Sequence, residues 1–146
     1  YYAVIEEELA LLSEKMEGVT KMHAEPEEKI FALIYTHLSI IRETVLRNGS
    51  LRAEFFRDIW MVEKFRRTFD AKEHRILQLV LQEGIDKGRF RIENVGLMTD
   101  IIHYSVKGLE VPYIYDRLGD GLTEDETYPI VRGILVRVLN MPPALD

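Results

Sequence analysis

The last third of this chain, residues 94–140, carries more apolar helical surface than one set of neighbouring helices can cover. Two adjoining apolar rows recur at helical spacing along a first long helix: Leu97, Ile101, Tyr104, Gly108, Val111 and Tyr115 in one, and Met98, Ile102, Ser105, Leu109 and Pro112 in the other. A final helix repeats the pattern with Ile130, Ile134, Val138 and Met141 beside Val131, Leu135 and Leu139. A helix with two apolar rows needs two packing partners, so we predict that the second partner is another copy of the chain.

Charge and composition limit the classes of partner. The chain has 146 residues, of which 47% are hydrophobic and 30% charged, and this composition predicts a single globular domain over 1–146. A net charge of −6 argues against binding of this domain alone to a nucleic-acid phosphate backbone. The absence of cysteine suits a reducing cytosol, and no apolar run approaches the roughly 20 residues that span a bilayer. We therefore expect a cytoplasmic protein without membrane association.

Helical periodicity recurs along most of the chain, with a break at Val19 to Glu25, and no segment favours a strand of any length. The predicted fold is therefore all-α with about seven helices. The first helix is predicted from Tyr1 to Glu17, with Gly18 as its stop, and the second begins at Pro26. The sequence opens without a methionine and already inside a helical pattern. We therefore expect that a further N-terminal segment belongs to the protein.

Capping residues predict the later helix starts. Ser50 is expected to cap a helix rich in aromatic residues, and Asp70 with Glu73 has the spacing of a capping box that opens the next helix. Asn94 is expected to cap the long helix, which Pro112 should kink. Thr123 followed by Glu126, a second capping box, predicts the start of the last helix.

Inward polar and aromatic groups are the candidates for binding. His37, with Tyr35 and Thr44, falls inside an apolar helical arc. It is either a polar group that contacts a ligand or a buried neutral histidine that is hydrogen-bonded to a neighbouring hydroxyl. An aromatic cluster follows at Phe55, Phe56, Trp60, Phe65 and Phe69. Such a cluster either lines an apolar ligand cavity or packs as ordinary core.

Other polar residues favour neither catalysis nor metal binding. Asp100, His103, Lys107 and Glu110 share one seam of the long helix, and we interpret this seam as a solvated face in preference to a site for an acidic or metal-linked ligand. The four histidines are scattered, and none follows a glutamate by three positions, the spacing of di-iron bundles. No phosphate loop or nucleophile motif occurs. We predict no metal, no cofactor and no enzymatic activity.

The stretch Leu79–Asn94, with VLQEGIDKGRFRIEN at its core, resembles the helix that ends in an "EGI..G.F" turn before an N-capped long helix in the C-terminal domain of TetR-family transcriptional regulators. The segment 102–108 and the final helix also match that domain in order and spacing. The resemblance implies a TetR-like helical bundle whose last two helices form a four-helix dimer interface. The residues assigned to this interface are Ile101, Tyr104, Gly108, Val111, Tyr115, Ile130, Ile134, Leu135 and Val138.

The resemblance also implies a function. It implies a homodimeric repressor that binds a hydrophobic small-molecule effector inside each subunit and then releases operator DNA, which it contacts through a helix-turn-helix domain preceding Tyr1. With this implication, the aromatic cluster is better explained as a cavity lining. The expected ligand-binding residues are Phe31, Tyr35, His37, Leu38, Phe55, Phe56, Ile59, Trp60, Phe69, Leu77, Leu81, Met98 and Ile102. The alternatives are a helical interaction module without ligand and a small helical enzyme.

Overall fold

The computed structural model describes residues 2–47 and 59–141, and within these ranges the protein is all-α, with no strand. Five helices follow one another, at Tyr2–Thr20 (α1), Pro26–Arg47 (α2), Ile59–Asp86 (α3), Val95–Ile114 (α4) and Glu124–Val138 (α5). The prediction of an all-α fold is confirmed for the described residues. The predicted total of about seven helices is not reproduced there, and the expected Ser50 cap lies outside them.

Local capping signals set three of the helix starts as predicted. The α2 helix begins at Pro26. At the start of α4 the Leu97 amide donates to the Asn94 side chain at 2.9 Å, and at the start of α5 the Glu126 amide donates to Thr123 Oγ1 at 3.2 Å. These contacts satisfy amide groups that have no partner within the helix.

Two predicted boundaries were wrong. The α1 helix continues past Gly18 to Thr20 because Val19 is buried and packs with the core, which offsets the modest cost of a helical glycine. A helix start near Asp70 is also wrong, since α3 runs unbroken from Ile59 to Asp86. The side chains of Asp70 and Glu73 do not cap a helix; they contact α4 and α2 instead.

The α2 helix lies at the centre of the bundle and packs against α1, α3 and α4. Lys29 on α2 pairs with Glu83 near the end of α3, so these two helices run antiparallel. The α5 helix also reaches α2, where the Tyr128 and Phe31 rings meet edge to face with centroids 4.1 Å apart. Four neighbouring helices explain why α2 is buried over most of its circumference.

The α5 helix runs antiparallel to α4 because its two ends contact opposite ends of α4. At one end the Tyr113 hydroxyl donates to Glu124 Oε1 at 3.1 Å. At the other end the Arg91 amide, just before α4, donates to the Leu139 carbonyl at 3.2 Å. Leu139 and Leu135 anchor α5 in the common core.

The turn between α3 and α4 depends on a close approach at Gly84. A Cβ atom at this position would lie 2.0–2.7 Å from ring atoms of Phe90, whose side chain is buried. The amides of Arg89 and Phe90 both donate to the Gly84 carbonyl, and Gly88 has a φ of +71°. Glycine at 84 therefore lets the ring of Phe90 fold back over the end of α3.

Candidate functional site

A network of buried ions joins the three central helices α2, α3 and α4. His37 on α2 is completely inaccessible to solvent, and its Nε2 lies 2.5 Å from Oε2 of Glu110 on α4. Its other ring nitrogen, Nδ1, contacts Glu73 on α3. Because both ring nitrogens face carboxylate oxygens, the geometry fits an imidazolium that donates from each nitrogen.

Arg66 on α3 supplies the second buried cation. Its Nη1 and Nη2 donate to the two carboxylate oxygens of Glu110, both at 2.8 Å. Arg66 and Glu110 are both buried, so little solvent screens this bidentate pair. We refer to His37, Arg66, Glu73 and Glu110 as the buried ion network.

The buried ion network continues toward the surface between α3 and α4. The Glu73 Oε1 and His103 Nδ1 atoms lie 2.9 Å apart, within ion-pair distance, but without the alignment of a hydrogen bond. Further out, Lys107 Nζ donates to Asp70 Oδ2 at 2.9 Å. These pairs lock α3 and α4 in one antiparallel register.

The pKa values in the buried ion network follow from competition between burial and pairing. Burial lowers the pKa of His37, but hydrogen bonds and charge from Glu110 and Glu73 outweigh it and raise the pKa to about 9. Burial raises the pKa of Glu73, yet pairing with His103 and His37 lowers it to about 2. The pKa of Glu110 is likewise lowered, because its pairing with His37 and Arg66 outweighs burial. At neutral pH the network is therefore fully ionised.

Sequence reasoning missed most of this network. His103 and Glu110 were assigned to a solvated face of α4, and this is wrong because both are buried; Asp100, by contrast, is exposed and Lys107 half-buried. The missed signal is the spacing of Arg66, Asp70 and Glu73, which places three charges on one face of a helix. The alternative of His37 as a buried, hydrogen-bonded residue agrees with its burial, but its partners are two carboxylates and not the neighbouring hydroxyl that was expected.

A cavity of about 290 Å³ lies between α2, the end of α4, the 115–123 turn and α5, and we call it the α2–α5 cavity. Most of its lining is apolar, as in small-molecule sites generally. The apolar lining comes from Ile34, Leu38, Leu109, Leu118, Leu122, Ile130 and Val131, with the ring of Tyr35. The polar lining comes from Arg42, Tyr113, Asp116, Thr123, Glu124 and Thr127.

The expected ligand-binding residues are distributed between the core and this cavity. Tyr35 and Leu38 line the α2–α5 cavity. Phe31, His37, Phe69, Leu77, Leu81 and Ile102 are buried in the core, and Met98 packs against it. Phe55 and Phe56 lie outside the described residues, as do the side chains of Ile59 and Trp60. The structure therefore brings two of the expected residues to a cavity that is lined mainly by others.

The α4 and α5 helices expose a row of large apolar side chains, which we call the apolar face. On α4 it contains Leu97, Ile101, Tyr104 and Val111, and on α5 it contains Ile130, Ile134 and Val138. Tyr104 has 67% of its surface exposed and Ile101 has 50%. Among the residues expected at the dimer interface, Gly108 is also exposed, Tyr115 is half-buried, and Leu135 belongs to the subunit's own core.

Comparison with protein-family models, with curated proteins and with solved structures gives no match for this chain. Within the described ranges, no helix combines the length and apolar character needed to cross a lipid bilayer. The same ranges contain no group of three or more histidine and carboxylate side chains arranged to hold a metal ion. The features of the described chain that bear on function are the buried ion network, the α2–α5 cavity and the apolar face.

Proposed function

We propose that this chain is a ligand-sensing and dimerisation domain of a TetR-like transcriptional repressor, with dimerisation through α4 and α5. The observation that carries the proposal is the apolar face, because large apolar side chains exposed at helical spacing along two helices are unusual on a monomer surface. The two antiparallel helices each present one row of this face, and a two-fold axis would pair each with its copy. The partner in this proposal is thus a second copy of the chain.

The effector in this proposal is a hydrophobic small molecule held in the α2–α5 cavity. The lining supports an apolar ligand, and the volume of about 290 Å³ suits a small one. Ile130 lines the cavity and also belongs to the apolar face, with 54% of its surface exposed. A ligand that shifts α5 would therefore alter the surface available to the second subunit.

The effect on DNA is proposed to pass through the first helix. The α1 helix packs against α2 and α3, and Glu8 pairs with Arg47 at 2.6 Å while Glu17 pairs with Lys72 at 2.7 Å. A helix held at two positions along its length would carry a change in the bundle to a DNA-binding domain attached before it. A ligand changes this equilibrium only by its differential affinity for the two states, typically about 1 to 3 kcal/mol.

An enzymatic function would need an acid–base pair that a substrate can reach. The inward pair His37 and Glu73 has suitable groups, but both are ion-paired, and neither lines the α2–α5 cavity. The geometry therefore favours binding over catalysis. An interaction module without a ligand would leave the cavity without a role.

Sedimentation equilibrium of the chain tests the dimer. We expect a dimer at micromolar concentration and a monomer for Tyr104→Glu, since a buried unpaired carboxylate at the interface would oppose association. Leu79→Glu is the matched control, because Leu79 is similarly exposed, at 63%, but lies on α3. A monomeric parent chain, or equal effects of both substitutions, would overturn the proposed interface.

A further inference from the structure

The charges that line the α2–α5 cavity are not balanced. Among the described residues that line the cavity, Arg42 is the single cation. Its guanidinium is paired with Asp116: Nη1 lies 3.0 Å from Oδ1, and Nη2 donates to Oδ2 at 3.1 Å. This bidentate contact matches the one positive charge with one carboxylate. The second lining carboxylate, Glu124, has no cation of its own.

Glu124 has no ion-pair partner in the described part of the chain. Its contact is the Tyr113 hydroxyl, which donates to Oε1 at 3.1 Å. Glu124 is also the first residue of α5. The polar part of the cavity thus contains one carboxylate that no lining cation matches.

The surroundings of Glu124 are negative as well. Residues 116–126 contain five acidic side chains and one arginine, so the field at this side of the cavity attracts cations. Burial raises the pKa of the Tyr113 hydroxyl, and the Glu124 carboxylate contributes to the rise. Burial similarly raises the pKa of Tyr35, with a contribution from Glu124 in the same direction.

We infer that the α2–α5 cavity binds an organic cation, a small molecule with an apolar body and one ammonium group that pairs with Glu124. The inference rests on the proposed effector-binding function and adds the charge of the ligand. The apolar body packs against Leu38, Leu109 and Val131, and the ammonium group lies against the Glu124 carboxylate. The Arg42 guanidinium already lies over the ring of Tyr113, with Cζ 5.5 Å from the ring centroid, so the ligand's ammonium group gains its attraction from Glu124.

A carboxylate ligand fits the same cavity less well. It would have to displace Asp116 from Arg42 to find a cation, and it would lie near the unpaired charge of Glu124. A neutral ligand would avoid this repulsion but would gain nothing from Glu124. The expected order of affinity is therefore ammonium, then neutral, then carboxylate.

Three probes with one carbon skeleton separate these cases: phenylbutylamine, phenylbutanol and phenylbutyrate. Isothermal titration of the whole chain should give the lowest Kd for the amine, with the alcohol about fivefold weaker and the acid weaker still. Raising the salt concentration should weaken binding of the amine and leave binding of the alcohol unchanged.

Two substitutions with opposite expected effects on binding of the amine test whether Glu124 attracts the ligand's charge. Glu124→Gln should weaken binding of the amine to the level of the alcohol, about fivefold, without changing the Kd of the alcohol. Arg42→Gln should strengthen binding of the amine, because it leaves the Asp116 carboxylate unpaired beside the cavity. Asp125→Asn is the matched control: this exposed residue is next in the chain but does not line the cavity.

The inference is overturned if none of the probes binds, if the acid binds most tightly, or if Glu124→Gln leaves the Kd of the amine unchanged. Equal binding of the amine and the alcohol would remove the charge preference and leave an apolar effector site. The dimer is measured separately by sedimentation. If no probe binds but the chain is still a dimer, the inferred cationic ligand is wrong and the proposed interface stands.

Discussion

His37 and Glu110 form a buried contact of 2.5 Å between α2 and α4, with the histidine side chain fully enclosed and the glutamate almost so. On its other side Glu110 accepts two hydrogen bonds from Arg66. One carboxylate therefore balances charges from two other helices. Its removal should affect the packing of the whole bundle.

Glu110→Gln should lower the free energy of unfolding by about 3 kcal/mol at neutral pH. The amide keeps the size of the side chain but leaves the buried Arg66 guanidinium without its bidentate carboxylate, and breaking a buried pair typically costs about 3 to 5 kcal/mol. Urea denaturation followed by circular dichroism measures the change.

Asp100→Asn is the control for this prediction, because Asp100 lies on the same helix in an exposed pair with His74 at 2.6 Å. An exposed pair is worth at most about 1 kcal/mol, so this variant should be close to the parent chain. If both variants lose a similar amount of unfolding free energy, the buried ion network does not stabilise the fold more than an exposed pair does.

Stability should fall as the pH rises above neutral. The folded-state pKa of His37 is raised from its ordinary value of 6.5 to about 9, so the folded protein binds this proton more tightly than the unfolded chain. The resulting stabilisation is complete below pH 6.5 and is lost as the pH rises through 9, with a limit of about 3 kcal/mol.

Urea titrations between pH 6.5 and 9 measure how the unfolding free energy depends on pH. His37→Gln should make this dependence weaker, even if the variant is less stable at every pH, because the glutamine does not titrate. A parent chain with a flat profile over this interval would contradict an imidazolium at position 37.

A second decline is expected on the acid side. The pKa of Glu73 is lowered from 4.5 to about 2 in the folded state, so its stabilisation is present above pH 4.5 and is lost as the pH falls toward 2. Glu73→Gln should make the unfolding free energy fall less steeply below pH 4.5. Glu93→Gln, at an exposed position, should leave this fall unchanged. If the unfolding free energy of the two variants falls equally steeply below pH 4.5, Glu73 is not held as an anion.

The sequence predicted those parts of the fold that depend on near neighbours in the chain. The caps at Asn94 and Thr123 were predicted correctly because each cap bonds an amide three residues away. Asp70 has the same local pattern, but Lys107, 37 residues further on, takes its carboxylate. A capping-box spacing cannot distinguish these cases, because the competing cation is brought in only by the tertiary fold.

The candidate site was harder to predict for the same reason. His37 was identified as an inward polar residue from its apolar neighbours on one helix, but its carboxylate partners are 36 and 73 residues away. Glu110 looked solvated because the cations that allow its burial, Arg66 and His37, lie on other helices. Helical periodicity indicates which face of a helix is apolar; it does not indicate which charged residues are paired across helices.

Gly84→Ala should destabilise the turn between α3 and α4. The added Cβ would lie within 2.0–2.7 Å of the Phe90 ring, including its Cγ atom, so the ring would have to leave its buried position. Such overpacking typically costs about 1 to 3 kcal/mol. Gly18→Ala is the matched control, since no atom lies within 4 Å of a Cβ there and a helical alanine should stabilise α1 by up to about 1 kcal/mol. Thermal unfolding should therefore shift in opposite directions, and a shared direction would contradict the close approach at Gly84.

Two adjacent isoleucines on α4 distinguish the core from the apolar face. Ile102 is 5% exposed, so Ile102→Ala should create a cavity and cost about 2 to 5 kcal/mol of unfolding free energy. Ile101 is 50% exposed, so Ile101→Ala should have a small effect on the stability of the isolated subunit but should weaken the proposed dimer. Urea denaturation and sedimentation equilibrium on both variants measure the two effects separately. If Ile101→Ala leaves the dimer dissociation constant unchanged, the α4 row does not form the interface, whatever the outcome at Ile102.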